Sequence, residues 1–276
     1  MNILTVKSHP FSLCRFILLV VVGCASALAQ QPAEPHKEPL PFLPGSKWRV
    51  NDVTRPAPPI VTPGTFSTPD AAARPPSDAI VLFDGTDTSL WETAKGEPAP
   101  WKIEDGAMVT AKTDIQTKQK FGDIQVHVEY AEPTPPVGDS QNRGNSGVFL
   151  MGMFEIQVLD NYNNPTYPDG QAGAVYAQTP PMANACRPPG EWQVYDIGFT
   201  TPRVDAQGKV ITPAYVTVFH NGVLVQNHTE IHGPTIHGHL TDYNTVHVSE
   251  GPLKLQYHKN AVRFRSVWVR PLIPPQ

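Results

Sequence analysis

Cysteine is scarce in this chain, with three in 276 residues: Cys14, Cys24 and Cys186. Two of them fall within the first thirty residues, so the body of the chain holds a single thiol and no disulfide framework can staple it. Stability has to come from a packed core. A basic excess is also lacking, because 21 Lys and Arg face 25 Asp and Glu. That excludes the cationic footprint on which nucleic-acid binding depends. No apolar run approaches the roughly 20 residues that a spanning helix needs, and Phe16 to Gly23 falls far short, so no transmembrane segment is expected. Nor does any segment sustain apolar residues at i, i+3, i+4 and i+7, which leaves amphipathic helices without support.

The short apolar run has a reading of its own. Lys7 and Arg15 precede it and Ala27-Leu28-Ala29 follows it, the layout of a secretory signal cleaved before Gln30. Residues 1–29 are therefore expected to be a signal peptide and the product to be secreted or periplasmic. A rival reading takes Val21-Val22-Gly23-Cys24 as a lipoprotein box, with a lipid anchor on Cys24 at the cell envelope.

What the chain does have is proline, 31 in all, crowded between Gln30 and Asp78. Such a stretch forms neither a helix nor an inner strand, so residues 30–78 read as a Pro-rich extended arm or linker. Trp48, Val50, Ile60 and Val61 within it suggest that part lies along the domain surface. From residue 79 to 276 the punctuation becomes regular. Short alternating runs such as "WKIEDGAMVT", "FGDIQVHVEY" and "AYVTVFHNGVLVQ" are separated by Gly, Pro, Asn and Asp, and each is a strand candidate. Asp105-Gly106 and Asn221-Gly222 sit where tight hairpin turns require positive φ. The fold class is all-β, a sandwich or jelly roll of two antiparallel sheets.

Chemistry concentrates in "GVFLMGMFEIQVLDNYNNPTYPDG". Phe154, Ile156 and Val158 alternate with Glu155 and Gln157, so the strand turns its apolar set inward and its polar set outward. A bulge near Val158 or Leu159 would bring Asp160 round beside Glu155. The spacing E-x-Q-x-x-D resembles the E-x-D-x-x-E of laminarinase-like glycoside hydrolases, with an amide replacing the middle acid. A carboxyl pair about 5–5.5 Å apart would suit a retaining hydrolase. Arg143 and Asn145 in "RGNSG" feed the same sheet. In "LKLQYHKN", Gln256 and His258 fall on the polar side, and a histidine there can move protons near neutral pH. Glu155, Asp160 and His258 are the catalytic candidates; Arg143, Asn145, Gln157, Gln256 and Trp192 are the substrate-binding candidates. The cluster His232, His237 and His239 leaves a divalent metal open, although its spacing matches no structural zinc pattern.

The string "LFDG", "FGDIQVHVEY", "RGNSGVFLMGMFEIQVLDNY", "DGQAGAVY", "NACRPPGEWQVYDI", "VFHNGVLVQNH" and "VRFRSVWVRPL" resembles the 3-keto-disaccharide hydrolase domain family from about Ile80 to Leu272. The resemblance implies a concanavalin A-like jelly roll, a carbohydrate substrate, and cleavage of glycosides already oxidised at sugar carbon 3. A base would take the C2 proton and the aglycone would leave C1, with no nucleophile required. A non-catalytic carbohydrate-binding, lectin-like module and a carboxyl-pair glycoside hydrolase are the alternatives.

Overall fold

The structure, a computed structural model, describes residues 40–272. The expected signal peptide and Cys24 lie outside the described residues. The chain divides into two compact units at Pro56. In the first, the described residues form a small turn in which Phe42 bridges Arg49 and the Arg49 guanidinium stands 4.0 Å over the Phe42 ring.

The second unit, from Ala57, is all-β. Its strands are β1 (Ile80–Phe83), β2 (Trp91–Glu92), β3 (Lys102–Glu104), β4 (Ala107–Val109), β5 (Ile115–Phe121), β6 (Ile124–Ala131), β7 (Ser146–Leu150), β8 (Phe154–Val158), β9 (Gln193–Thr200), β10 (Arg203–Val204), β11 (Val210–Thr212), β12 (Ala214–His220), β13 (Val223–Ile231), β14 (Gly251–Leu255) and β15 (Arg263–Pro271). Eight strands make one sheet in the order β13-β12-β9-β6-β15-β4-β3, with β1 alongside β15. Five make the other in the order β2-β5-β14-β7-β8, and β10 with β11 forms a separate small ribbon. Every pairing is antiparallel. The two large sheets pack face to face as a jelly-roll sandwich.

Local chemistry explains the turns. Asp105 and Gly106 both take positive φ between β3 and β4, as do Asn221 and Gly222 between β12 and β13, the geometry of a type I′ hairpin. The core lies between the sheets. Ile115, Val148, Leu150, Phe154, Ile156 and Leu255 from one face meet Val126, Val128, Tyr195, Ile197, Phe199 and Phe264 from the other. Each such side chain contributes roughly 1.5–3 kcal/mol by leaving water. Buried indoles are partly satisfied: Trp91 Nε1 donates to Leu82 O at 2.8 Å.

The proline-rich segment of this unit is held against the outer face of the eight-stranded sheet by polar contacts. Glu129, fully buried, accepts from Ser67 Oγ at 2.7 Å, from the Ala73 amide at 2.5 Å and from Arg265 Nε at 2.6 Å. Ile60, expected to help the packing, is instead wholly exposed. The contact works through Ser67 and Ala73 because the sheet offers a buried carboxylate there, which must be paired.

Candidate functional site

The outer face of the five-stranded sheet carries a cavity of about 590 Å³. Cross-strand register builds its floor. Gly147 stands opposite Gln157, and Phe149 opposite Glu155; on the other side Lys254 pairs with Phe149, and the Gln256 amide donates to Gly147 O at 3.0 Å. Gly147 makes room beneath Glu155. A Cβ there would stand 2.3 Å from Glu155 Oε1 and 2.8 Å from the Phe149 ring, so only glycine leaves room for the carboxyl.

Two loops cover this face. Residues 171–176 pair with the edge of β8: the Gln157 amide donates to Ala174 O at 3.0 Å, and the Tyr176 amide donates to Glu155 O at 3.1 Å. That pairing sets Tyr176 beside Glu155. The histidine-rich loop docks through Thr235, whose Oγ1 accepts from the Glu155 amide at 2.9 Å. As a result β8 is buried on both faces, where sequence alternation alone predicts one wet face.

Among the described residues lining the cavity, Glu155 is the only carboxyl. Its side chain is almost fully buried, and burial pushes its pKa up to about 8, with Lys254 opposing the shift and Asp114 reinforcing it. Tyr176 Oη lies 2.7 Å from His237 Nδ1 and 2.9 Å from Tyr167 Oη. Burial and the Tyr167 bond raise the Tyr176 pKa, so the phenol stays protonated. Gln157 Nε2 donates to Gln141 Oε1 at 2.9 Å, and Asn145 Nδ2 donates to Gln141 O at 2.8 Å. Gln157 Oε1 and Gln256 Oε1 are buried without a partner among the described residues. An unpaired buried acceptor is costly, and a ligand hydroxyl would satisfy each of them.

The structure thus brings Glu155, Gln157, Asn145, Gln256 and His258 to one cavity. It leaves three sequence candidates elsewhere. No bulge interrupts the β7–β8 register up to Val158, so Asp160 keeps the phase of the apolar set. Its carboxylate accepts from Arg143 Nε at 2.6 Å and from the Tyr162 amide at 3.1 Å. Asp160 and Arg143 are a buried pair that fastens the loops at the end of β8, and neither lines the cavity. Trp192 lies just before β9 of the other sheet, where the Arg265 guanidinium stands 4.1 Å from its ring. An aromatic at a strand start has no way to announce, in sequence, which face it will serve.

Tyr176 and Gln141 are the residues that sequence reasoning missed, and His237, singled out there only within a candidate metal cluster, lines the cavity instead. "GAVYAQ" reads as a strand, yet only Val175 makes isolated bridges there. Among the described residues no group of three or more His, Cys, Asp or Glu side chains converges as a metal site. Cys186 is partly buried, and burial pushes its thiol up to about 12, so it is a poor nucleophile.

A sequence profile for the 3-keto-alpha-glucoside-1,2-lyase-like domain matches residues 78–270. Among solved structures, a candidate glycosyl hydrolase from Parabacteroides distasonis ATCC 8503 is 48% identical, covers 79% of this chain and 93% of its own, and superposes with a TM-score of 0.75. A second candidate glycosyl hydrolase from the same organism is 19% identical over 71% of this chain and 94% of its own, with a TM-score of 0.51, and shows likeness of fold. Among curated proteins none matches. These relatives support a carbohydrate-active domain of the glycosyl hydrolase kind.

Proposed function

Because the chain belongs to the 3-keto-alpha-glucoside-1,2-lyase-like domain family, we propose that it cleaves glycosides bearing a ketone at sugar carbon 3, by taking the C2 proton and releasing the aglycone from C1. The observation that carries this reading is Glu155, held at a pKa of about 8 as the single carboxyl among the described residues lining a polar cavity. A carboxyl-pair hydrolase would need a partner acid, and Asp160 is committed to Arg143.

The ketone makes the C2 hydrogen acidic. Ionised Glu155 takes that proton, and the C2–H electron pair moves into the C2–C3 bond while charge gathers on the C3 oxygen. As the carbonyl re-forms, the pair shifts to C1–C2 and the C1–oxygen bond breaks toward the aglycone. Tyr176 Oη donates a proton to the departing oxygen, and His237 Nδ1, 2.7 Å away, stabilises the phenolate that results. The side-chain amide of Gln256 is the donor for the C3 oxygen, where charge develops, while Asn145 Nδ2, donating to Gln141 O and Oε1, fixes the Gln141 side chain. Gln157 Oε1 and Gln256 Oε1 accept from sugar hydroxyls. Water then adds across C1–C2, its hydroxyl to C1 and a proton to C2, while Tyr176 regains a proton and Glu155 gives up the one it took by exchange with solvent, which completes a net hydrolysis. His258, at the exposed rim of the cavity, is the second proton carrier within reach of incoming water.

Incubation of the purified protein with a 3-keto-glucoside tests the reading through aglycone release. Release from the 3-keto substrate and not from the ordinary glucoside is expected; no release from the 3-keto substrate would end it. The unpartnered amide oxygens also suit a binding module, and saccharide binding by wild type and Glu155→Gln alike with no turnover would favour that alternative. Export belongs to the proposal as well, whether released by cleavage before Gln30 or anchored through Cys24; fractionation of expressing cells with radiolabelled palmitate separates the two.

A further inference from the structure

The face of the sandwich opposite Glu155 carries a second cavity, of about 630 Å³. Its floor is the outer face of the eight-stranded sheet at Gln125, His127, Asp196, Trp268 and Arg270, and its roof is the proline-rich arm. The arm is built to hold that position. It folds back on itself, with the Thr65 amide donating to Arg74 O at 3.0 Å and the Arg74 amide donating to Thr65 Oγ1 at 2.9 Å. Gly64 permits the approach, since a Cβ there would lie 2.3 Å from Arg74 O. Glu129 and Ser266 then pin the returning limb: Ser266 Oγ donates to Ala73 O at 2.7 Å.

An arm that only covered the sheet would fill this space with apolar side chains. Here Phe66 is 96% exposed and the space stays open. Arginines line it instead. Arg74 and Arg187 have no carboxylate within 4.0 Å among the described residues, Arg187 using Nη1 to donate to Trp192 O at 2.6 Å, and Arg270 shares Asp78. Asp196, the acid in the lining, is occupied by His127 Nδ1 at 2.7 Å. His127 stacks flat on Trp268, with centroids 5.0 Å apart at 7°. Trp268 is itself buried, and its Nε1 donor has no partner among the described residues. The Gln125 side chain makes no hydrogen bond within the described residues. The cavity therefore offers guanidinium groups, two of them without a carboxylate partner among the described residues, and a free amide, in a chain whose acids outnumber its bases. Guanidinium forks recognise carboxylates and sulfates in bidentate fashion, amides recognise hydroxyls, and the volume falls within the range of small-ligand sites.

We propose that this cavity between the arm and the eight-stranded sheet is a second binding site, separate from the Glu155 cavity, for an acidic saccharide of one or two sugar units, held through its carboxylate or sulfate by Arg74, Arg187 and Arg270. The site does not depend on the reaction proposed for Glu155.

Calorimetric titration of the mature protein with glucuronate, glucose 6-sulfate, glucose and inorganic sulfate tests it. Glucuronate or glucose 6-sulfate should bind at least tenfold more tightly than glucose, more weakly as salt rises, and at least tenfold more weakly to Arg74→Ala and to Arg187→Ala; which acid binds better identifies the group recognised. Glu155→Gln should leave this binding unchanged. Arg74 is exposed and its replacement spares the fold, so it decides the matter if Arg187→Ala unfolds. Equal affinity for glucose, indifference to the arginine variants, loss of binding in Glu155→Gln, or inorganic sulfate binding as tightly as both acidic sugars would overturn the proposal.

Discussion

The Glu155 carboxyl rests over Gly147, close enough that a Cβ on residue 147 would stand 2.3 Å from Glu155 Oε1. One missing side chain thus sets where the carboxyl lining this cavity points. Gly147→Ala should push Glu155 and Phe149 aside and lower kcat/KM by about 10²-fold, since misplacing a reacting group by about 1 Å costs that much. Overpacking should cost about 1–3 kcal/mol of stability. Steady-state kinetics beside a urea titration checks both, and unchanged kinetics would detach Glu155 from the chemistry.

The acidity of Glu155 predicts a pH profile. A base must be ionised, so kcat/KM should rise with pH and level off above about 8. A rise complete near 4.5, the ordinary value, would contradict the role. Folding stability moves the other way. Between 4.5 and about 8 the folded protein keeps a proton that the unfolded chain has released, so this group's stabilising contribution is full below 4.5 and is lost as pH rises through 8. Glu155→Gln should therefore unfold at higher urea than wild type at pH 9, with the gain vanishing below pH 4.5.

Tyr176 supplies the proton for the leaving oxygen. Tyr176→Phe keeps the ring against His237 and removes only the hydroxyl, so kcat should fall about 10²–10⁴-fold for a sugar aglycone. A nitrophenol leaves without a proton, and its release should slow less than tenfold. Equal losses on both substrates would make Tyr176 a packing residue.

Asp160 makes the opposite prediction. Breaking a buried ion pair by removing one partner costs about 3–5 kcal/mol, so Asp160→Ala should lose stability on that scale. Where it remains folded, kcat/KM should change less than tenfold. A large kinetic loss with intact stability would restore Asp160 to the catalytic group.

The hairpins were the most legible part of the sequence, because Asp105-Gly106 and Asn221-Gly222 need positive φ and the flanking runs alternate with period two. Gln157 was legible for the same reason, since period two fixes the face of a strand, and Gln256 and His258 follow the same alternation just past the end of β14. Asp160 was not, because its side depends on whether β8 bulges, and the regular pairing with β7 settles that. Tyr176 and His237 were hidden as cavity residues for a different reason. Each reaches the cavity on a loop whose path is set by pairing with β8 or by Thr235, contacts of long sequence separation that local pattern does not encode. Likewise the arm's anchorage rests on Glu129, a buried acid that pattern reading assigns to a solvated face.

The most direct test of the central claim is the fate of deuterium placed at C2 of a 3-keto-glucoside during turnover in ordinary water. Proton abstraction by Glu155 predicts aglycone release with loss of that deuterium to solvent and a slowed rate, both abolished in Glu155→Gln. Aglycone release with the C2 deuterium fully retained would contradict the account.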